Sequence, residues 1–143
     1  MAPENTDSHH EAKIRRLIAE QQKAVCAKDI DGIMAHYAAD VVVFNVKPPF
    51  QTRGAKEWRR EWETSLSHFP ASFGTETRDL VISVSGDFAV AHYLCRFTGM
   101  PGQSWIRDTA IYRRDQGTWK IVHEHYSVPF DPETSKAVFA VEA

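Results

Sequence analysis

Long hydrophobic runs and cysteines are both scarce in this sequence. No segment approaches the roughly 18 apolar residues that a membrane-spanning helix needs, and residues 1–11 lack the apolar stretch of a secretory signal peptide. Cys26 and Cys95 are the two cysteines, too few for a disulfide scaffold in a chain with a core of its own. We therefore predict no membrane partner, reduced thiols and a cytoplasmic location.

Excess positive charge and several catalytic motifs are also missing. The formal net charge is −2, whereas nucleic-acid binders carry a basic excess or stripe. The sequence contains neither a glycine-rich phosphate loop nor a nucleophile elbow, so no nucleotide cofactor is implied. His123 and His125 have a chelating spacing, but the spacing supplies no third ligand. We expect no nucleic-acid partner, no cofactor and no native metal.

Three helices are predicted in the first half of the chain. Ser8 and Glu11 fit a capping box, and the apolar stripe behind them predicts a helix that ends near Lys28. Asp29 is suited to cap a short second helix that reaches Tyr37. Residues 54–68 form the third, whose aromatic-rich face consists of Trp58, Trp62, Leu66 and Phe69.

Strands dominate the rest. A β-branched run at 41–46 predicts a short strand buried on both faces. Four further strands are predicted around 80–84 and at 88–97, 105–114 and 119–128, separated by turn sequences. Helices followed by an antiparallel meander make an α+β domain, and 143 residues suffice for one domain. We assign it to residues 10–130, with a flexible N-terminus at 1–9 and a tail at 131–143.

Two segments carry a family resemblance. The first is DIDGIMAHYAAD at 29–40, which leads into a strand, a proline-containing loop and an aromatic helix. The second is RRDQGTWKIVHEHYS at 113–127. Their order and spacing resemble the SnoaL-like, ketosteroid-isomerase-like branch of the nuclear transport factor 2-like superfamily, over residues 10–130.

This resemblance implies a fold and a general kind of site. The implied fold is a conical barrel in which a curved, mostly antiparallel sheet and three N-terminal helices enclose a pocket. A homodimer packed through the outer face of the sheet is also implied. Known members include isomerases, polyketide cyclases, dehydratases and oligomerisation domains, so the fold does not determine an activity.

The residues of the steroid isomerase reaction are replaced in this sequence. That reaction uses a carboxylate base and an oxyanion hole made of a tyrosine and a protonated aspartic acid. Alignment on the two segments puts the base at Asn45, the acid near Thr109 and the tyrosine near Gln21. Since an asparagine amide takes up no proton at neutral pH and threonine is not an acid, we expect no steroid isomerase activity by that route.

The strand at 105–114 offers two mixed faces. Strict alternation places Trp105, Arg107, Thr109 and Ile111 on one face and Ile106, Asp108, Ala110 and Tyr112 on the other. The pattern does not choose between them, but the alignment places Thr109 inward together with Trp105 and Arg107. Arg107 would then offer its planar fork to a ligand oxygen; the alternative is a surface arginine paired with a carboxylate.

The last strand carries the candidate proton-transfer groups. Strict alternation puts His123 and His125 on one face with Trp119 and Ile121. Histidine titrates near neutral pH and serves as a general acid or base. The alternative is that these histidines bind backbone carbonyls or line a dimer surface.

Together these residues predict an aromatic, largely apolar pocket. Its predicted ligand-binding residues are Tyr37, Phe44, Asn45, Trp58, Trp62, Trp105 and Thr109. We expect binding of a small hydrophobic molecule, with cofactor-free isomerase, cyclase or dehydratase chemistry by His125, His123 and Arg107. The alternative is a non-catalytic ligand-binding or dimerisation module.

Overall fold

Three helices and eight strands form the described part of the chain. The computed structural model describes residues 6–101 and 104–139. The helices are α1 (Thr6–Cys26), α2 (Ile30–Met34) and α3 (Ala55–Ser67). The strands are β1 (Tyr37–Phe44), β2 (Thr52–Arg53), β3 (Gly74–Ser85), β4 (Phe88–Thr98), β5 (Ile106–Asp115), β6 (Thr118–Ser127), β7 (Phe130–Asp131) and β8 (Lys136–Ala137).

Six of these strands build one curved sheet, in the order β2-β1-β6-β5-β4-β3. All neighbours run antiparallel except β1 and β6, which are parallel with Val43 opposite Glu124. The sheet stays open because β2 and β3 are its two edges. The predicted α+β architecture, a cone of curved sheet covered by helices, is confirmed.

The helices pack on the inner, concave face of the sheet. Inward side chains of α1 and α3, among them Ile14, Ile18 and Trp58, join the buried core with Ala91 and Tyr112 of the sheet. Burying such side chains contributes roughly 1.5–3 kcal/mol each.

Local turn chemistry is close to prediction. Asp29 caps α2, since its Oδ1 accepts from the amide of Gly32 at 3.0 Å. Gly54 precedes α3 with φ of +89°, a conformation that favours glycine. Gln116 and Gly117 both have positive φ and form the two-residue turn of the β5–β6 hairpin.

Two helix boundaries differ from prediction. α1 begins at Thr6, so Ser8 lies within the helix and does not cap it, and residues 6–9 of the predicted flexible N-terminus are helical. Tyr37 starts β1 instead of ending the second helix. The reason is parallel pairing: Tyr37 lies opposite Ile121, whose amide donates to His36 O at 2.8 Å.

The predicted tail contains a small hairpin, in which β7 pairs with β8. Residues 1–5 and 140–143, which belong to the predicted flexible end and tail, lie outside the described residues. None of the three described helices is both long and apolar enough to cross a bilayer.

Candidate functional site

The inner face of β5 is the face that carries Asp108. Asp108, Ala110 and Tyr112 are all buried, whereas Arg107 is exposed and Thr109 is half-buried on the outer face. The expectation that Thr109 and Arg107 point inward is therefore wrong. Side chains alternate along a strand, and burial of Ala110 and Tyr112 in the core places Asp108 inside with them. Arg107 Nε instead donates to Ser127 Oγ at 3.0 Å.

A β-bulge reverses the facing of β6 halfway along the strand. Ile121 lies opposite Tyr112 and His123 lies opposite Ile111, so Val122 is an extra residue without a partner on β5. An extra residue shifts the alternation by one position. Trp119 and Ile121 point inward before the bulge, and Glu124 takes the inward place after it.

The two histidines therefore face away from the interior. Strict alternation predicted them on the same face as Trp119, and the bulge overturns that expectation. His123 Nδ1 lies 2.7 Å from Val42 O, and Phe44 packs edge-on against His123 and His125 with ring centroids 4.7 Å and 5.4 Å apart. Phe44, predicted to line the pocket, is part of this outer-face aromatic cluster.

Trp105 also lies away from the predicted pocket. It is only 6% exposed, and two guanidinium groups contact its ring, with Arg78 at 4.6 Å and Arg96 at 4.7 Å from the ring centroid. Arg96 in turn forms a salt bridge with Glu76 at 2.8 Å. Trp105 precedes β5, so strand alternation does not govern its direction, and its contacts are those of a structural cation–π stack.

A pair of buried carboxyl groups occupies the interior. Asp108 and Glu124 project from the neighbouring strands β5 and β6, with 3% and 1% of their surface exposed. Tyr37 Oη donates to Glu124 Oε1 at 2.5 Å, and hydrogen bonds from Asp108 and Tyr126 also favour the ionised Glu124. Tyr37 thus supports the carboxyl pair, although the sequence predicted a direct ligand contact for it.

The environment raises the pKa of both carboxyl groups, and that of Asp108 more. Burial, and then the negative charge of Glu124, raise the pKa of Asp108 well above its ordinary value. Burial also raises the pKa of Glu124, while its hydrogen bonds oppose that rise. Two adjacent carboxyl groups in a low-dielectric site do not both ionise readily. We assign the shared proton to Asp108 and the negative charge to Glu124.

The carboxyl pair lines an inner chamber of about 70 Å³. Its wall is mostly apolar and comes from α1, α3 and the strands β3 to β6. The residues in this wall are Gln21, Gln22, Val25, Trp62, Thr75, Tyr93, Cys95, Arg96, Phe97, Ile106, Asp108, Glu124 and Tyr126. Burial raises the pKa of the Cys95 thiol well above its ordinary value. A thiol in such surroundings is a poor nucleophile, so Cys95 contributes apolar surface to the chamber wall.

An outer chamber of about 210 Å³ adjoins the first. It opens between α3 and the segment that follows β1, and the residues unique to it include Asn45, Lys47, Trp58 and Glu61. Five residues line both chambers: Trp62, Cys95, Phe97, Ile106 and Tyr126. Of the predicted ligand-binding residues, the structure thus brings Asn45, Trp58 and Trp62 together in one wall.

Several buried polar atoms along these chambers have no hydrogen-bond partner within residues 6–101 and 104–139. They are Gln21 Nε2, Trp58 Nε1, Glu61 Oε2, Trp62 Nε1 and Asp108 Oδ1. Buried polar atoms are nearly always paired, so this group of unpaired atoms sets the chamber walls apart from the rest of the described interior.

Comparison with known proteins supports one fold family. Residues 14–131 match the sequence profile of the SnoaL-like domain. A nuclear transport factor 2-like protein of unknown function from Pseudomonas putida KT2440 is 36% identical, with a TM-score of 0.88 over 95% of this chain and 98% of that one. No curated protein shows significant similarity.

Two more distant structures share the fold. A candidate dehydratase of the nuclear transport factor 2-like family from Streptomyces avermitilis is 16% identical, with a TM-score of 0.73 over 85% of this chain and 97% of that chain. A candidate ketosteroid isomerase from Parabacteroides distasonis is 20% identical, with a TM-score of 0.66 over 78% and 83% of the two chains. At these identities the likeness concerns the fold alone.

Proposed function

The chain belongs to the SnoaL-like family of the nuclear transport factor 2-like superfamily, and from this premise we propose that it binds a small, largely apolar carbonyl compound and moves a proton on it without a cofactor. Asp108 and Glu124 replace the histidines as the groups that carry the chemistry. The alternative within the same site is a binding protein that holds such a ligand without turnover.

The observation that supports this proposal is the buried Asp108 carboxyl group in the chamber wall, where burial and the charge of Glu124 raise its pKa well above its ordinary value. A neutral carboxylic acid donates a strong hydrogen bond to an oxygen on which negative charge develops. Gln21 Nε2, also buried and unpartnered among the described residues, supplies a second donor from α1. Together the two groups would form an oxyanion-binding pair in the wall of the inner chamber.

Glu124 is the candidate base. Its pKa is raised by burial, and a carboxylate with a raised pKa takes up a proton more readily near neutral pH. When the Asp108 proton turns to a ligand oxygen, Glu124 loses one hydrogen-bond donor and becomes more basic. Removal of a proton from the carbon beside the carbonyl would then leave an enolate whose oxygen is held by Asp108 and Gln21.

Proton exchange on a simple probe tests the proposal. We expect the protein to accelerate hydrogen–deuterium exchange at the carbon beside the carbonyl of 1-tetralone, followed by NMR in deuterated buffer. Asp108→Asn and Glu124→Gln should each slow this exchange by about 100-fold or more, the usual contribution of general acid–base catalysis. His123→Ala, a change on the outer face, should leave the rate unchanged.

The outcomes separate the two readings of the site. If 1-tetralone binds saturably but its exchange is no faster than in buffer, the result would support the alternative of a binding protein without turnover. Exchange that survives in Asp108→Asn and Glu124→Gln but is lost in His123→Ala would contradict the proposed roles. Absence of both binding and exchange would refute the proposal for carbonyl compounds of this class.

We also propose that two copies associate through the outer face of the sheet. Cross-strand neighbours form two rows across five strands of that face: Val81, His92, Thr109, His125 and Phe44 in one, and Ser83, Val90, Ile111, His123 and Val42 in the other. Val81 is 47% exposed, and Val90 and Phe44 are each 37% exposed. Adjoining apolar side chains of this kind are typical of protein interaction surfaces.

Sedimentation tests the association directly. We expect a dimer at micromolar concentration and a monomer for Val90→Asp, because a buried unpaired charge would face its own copy across the interface. Phe50→Asp is a matched control, since Phe50 is fully exposed and lies outside the sheet. A wild-type monomer at the same concentration would refute the proposal.

A further inference from the structure

We propose that Glu61 is a second polar anchor at the far end of the pocket, and that the protein selects neutral carbonyl compounds that carry a hydroxyl group opposite the carbonyl. This inference rests on the proposed binding of a carbonyl compound by Asp108 and Gln21. It adds the polar group at the other end of the molecule and the residue that recognises it.

The first observation concerns the two oxygens of Glu61. Thr52 Oγ1, on the buried side chain of β2, donates to Glu61 Oε1 and fixes the orientation of the carboxyl group. Oε2 is buried, has no partner in the described part of the chain, and belongs to a residue that lines the outer chamber. A buried carboxyl oxygen held in this way lacks a hydrogen-bond donor, and leaving such an acceptor without a partner is costly.

The second observation identifies which donor fits. Trp62 Nε1 is also buried and unpartnered within residues 6–101 and 104–139, and Trp62 lines the same chamber. A hydroxyl group both donates and accepts, so it matches an acceptor and a donor together. An ammonium group cannot accept from the indole, and Lys47 in the chamber wall would repel it. A ligand carboxylate has no hydrogen-bond donor to offer the Glu61 oxygen.

The third observation joins the two ends into one ligand. The residues shared by the two chamber walls include Cys95, Phe97 and Ile106. None of the shared residues is charged. Tyr126 and Trp62 complete this middle section with aromatic rings. One molecule with an apolar body can therefore place a carbonyl at Asp108 and a hydroxyl at Glu61.

A matched series of probes tests the anchor. The series is 6-hydroxy-1-tetralone, 6-methoxy-1-tetralone and 1-tetralone, titrated by quenching of tryptophan fluorescence at slightly acidic pH, where the phenol is neutral. We expect the hydroxy compound to bind about tenfold more tightly than the other two, since it alone donates to the carboxylate. The wild-type protein is sufficient for this comparison.

Substitution assigns the preference to Glu61. Glu61→Gln should remove the tenfold advantage of the hydroxy compound and leave the affinity for 1-tetralone within about twofold, because the amide is a weaker acceptor than the carboxylate. Glu63→Gln is the matched control on the same helix, where Glu63 is exposed and pairs with Arg59 at 3.0 Å. It should preserve the preference.

The outcomes distinguish this inference from the proposal on which it rests. Equal affinity for the three probes in the wild-type protein, or a preference that survives in Glu61→Gln, would overturn the anchor while 1-tetralone binding at Asp108 stands. If no member of the series binds, both proposals are refuted. If only the hydroxy compound binds and Glu61→Gln abolishes binding, the anchor is supported and the inner site contributes little.

Discussion

Replacement of Asp108 by asparagine should change how stability depends on pH. Burial and the charge of Glu124 raise the pKa of Asp108 in the folded protein, while in the unfolded chain an aspartate ionises near its ordinary pKa of about 3.9. Between these two values the folded protein holds one more proton than the unfolded chain. The free energy of unfolding therefore falls as pH rises through that window.

The size of the effect follows from one proton. A difference of one bound proton corresponds to a slope of about 1.4 kcal/mol per pH unit at most. An asparagine amide stays neutral throughout, and its N–H can still donate to Glu124. Relative to Asp108→Asn, the wild-type protein should thus lose up to about 1.4 kcal/mol of stability per pH unit above pH ~4 until Asp108 ionises.

Urea denaturation at a series of pH values measures this difference. Asp115→Asn is the control, because Asp115 ends the same strand and is exposed; its difference from wild type should not follow the Asp108 profile. The difference between wild type and variant cancels the titrating groups that do not interact with Asp108. A wild-type minus Asp108→Asn difference that is constant from pH ~4 to pH ~8 would show that Asp108 is not held neutral, and the assigned hydrogen-bond donor would be lost.

Two stability predictions follow from other contacts of the same structure. Tyr37→Phe removes the 2.5 Å hydrogen bond to the buried Glu124 and should lower the free energy of unfolding by about 1.5–3 kcal/mol; a loss below about 0.5 kcal/mol would mean that Glu124 does not depend on it. Trp105→Ala removes the buried ring that two arginines contact and should lower the free energy of unfolding by about 3–5 kcal/mol, measured by the same denaturation. The fully exposed Phe50 is the reference: Phe50→Ala should cost less than about 0.5 kcal/mol, and equal losses for the two substitutions would contradict the structural role of Trp105.

The order of elements could be read from the sequence because each element carries its own local signal. The helix at 55–67 was predicted within one residue at each end from its aromatic spacing and the preceding glycine. The hairpins at 86–87 and 116–117 follow from turn residues that tolerate positive φ. These signals are short-range, so they need no knowledge of what the chain packs against.

The facing of the two site strands could not be read from the same patterns. An extra residue in β6 leaves no mark on local composition, since Val122 suits a strand as well as its neighbours do. On β5 a usable signal was present: Ala110 and Tyr112 make the Asp108 face the more apolar one. The prediction followed the alignment instead of that signal. The alignment was offset by one residue, so it placed Thr109 where Asp108 lies.

That one-position difference changes what can be concluded about the chemistry. With Thr109 inward, the acid of the isomerase pattern seemed to be lost; with Asp108 inward, a buried carboxyl group with a raised pKa is present, and in the proposed site Gln21 supplies a donor where that pattern has a tyrosine. The base differs in place: Asn45 lines the outer chamber, and the available carboxylate is Glu124 on β6. A base beside the acid serves proton removal next to the carbonyl, but it does not reach a second, distant carbon as a base at position 45 would. This arrangement therefore favours hydrogen exchange at one carbon without migration of a double bond. NMR of a β,γ-unsaturated ketone in deuterated buffer distinguishes such exchange from isomerisation to the conjugated ketone. Label appearing only beside the carbonyl is the expected result, and formation of the conjugated isomer would show that a base other than Glu124 is at work.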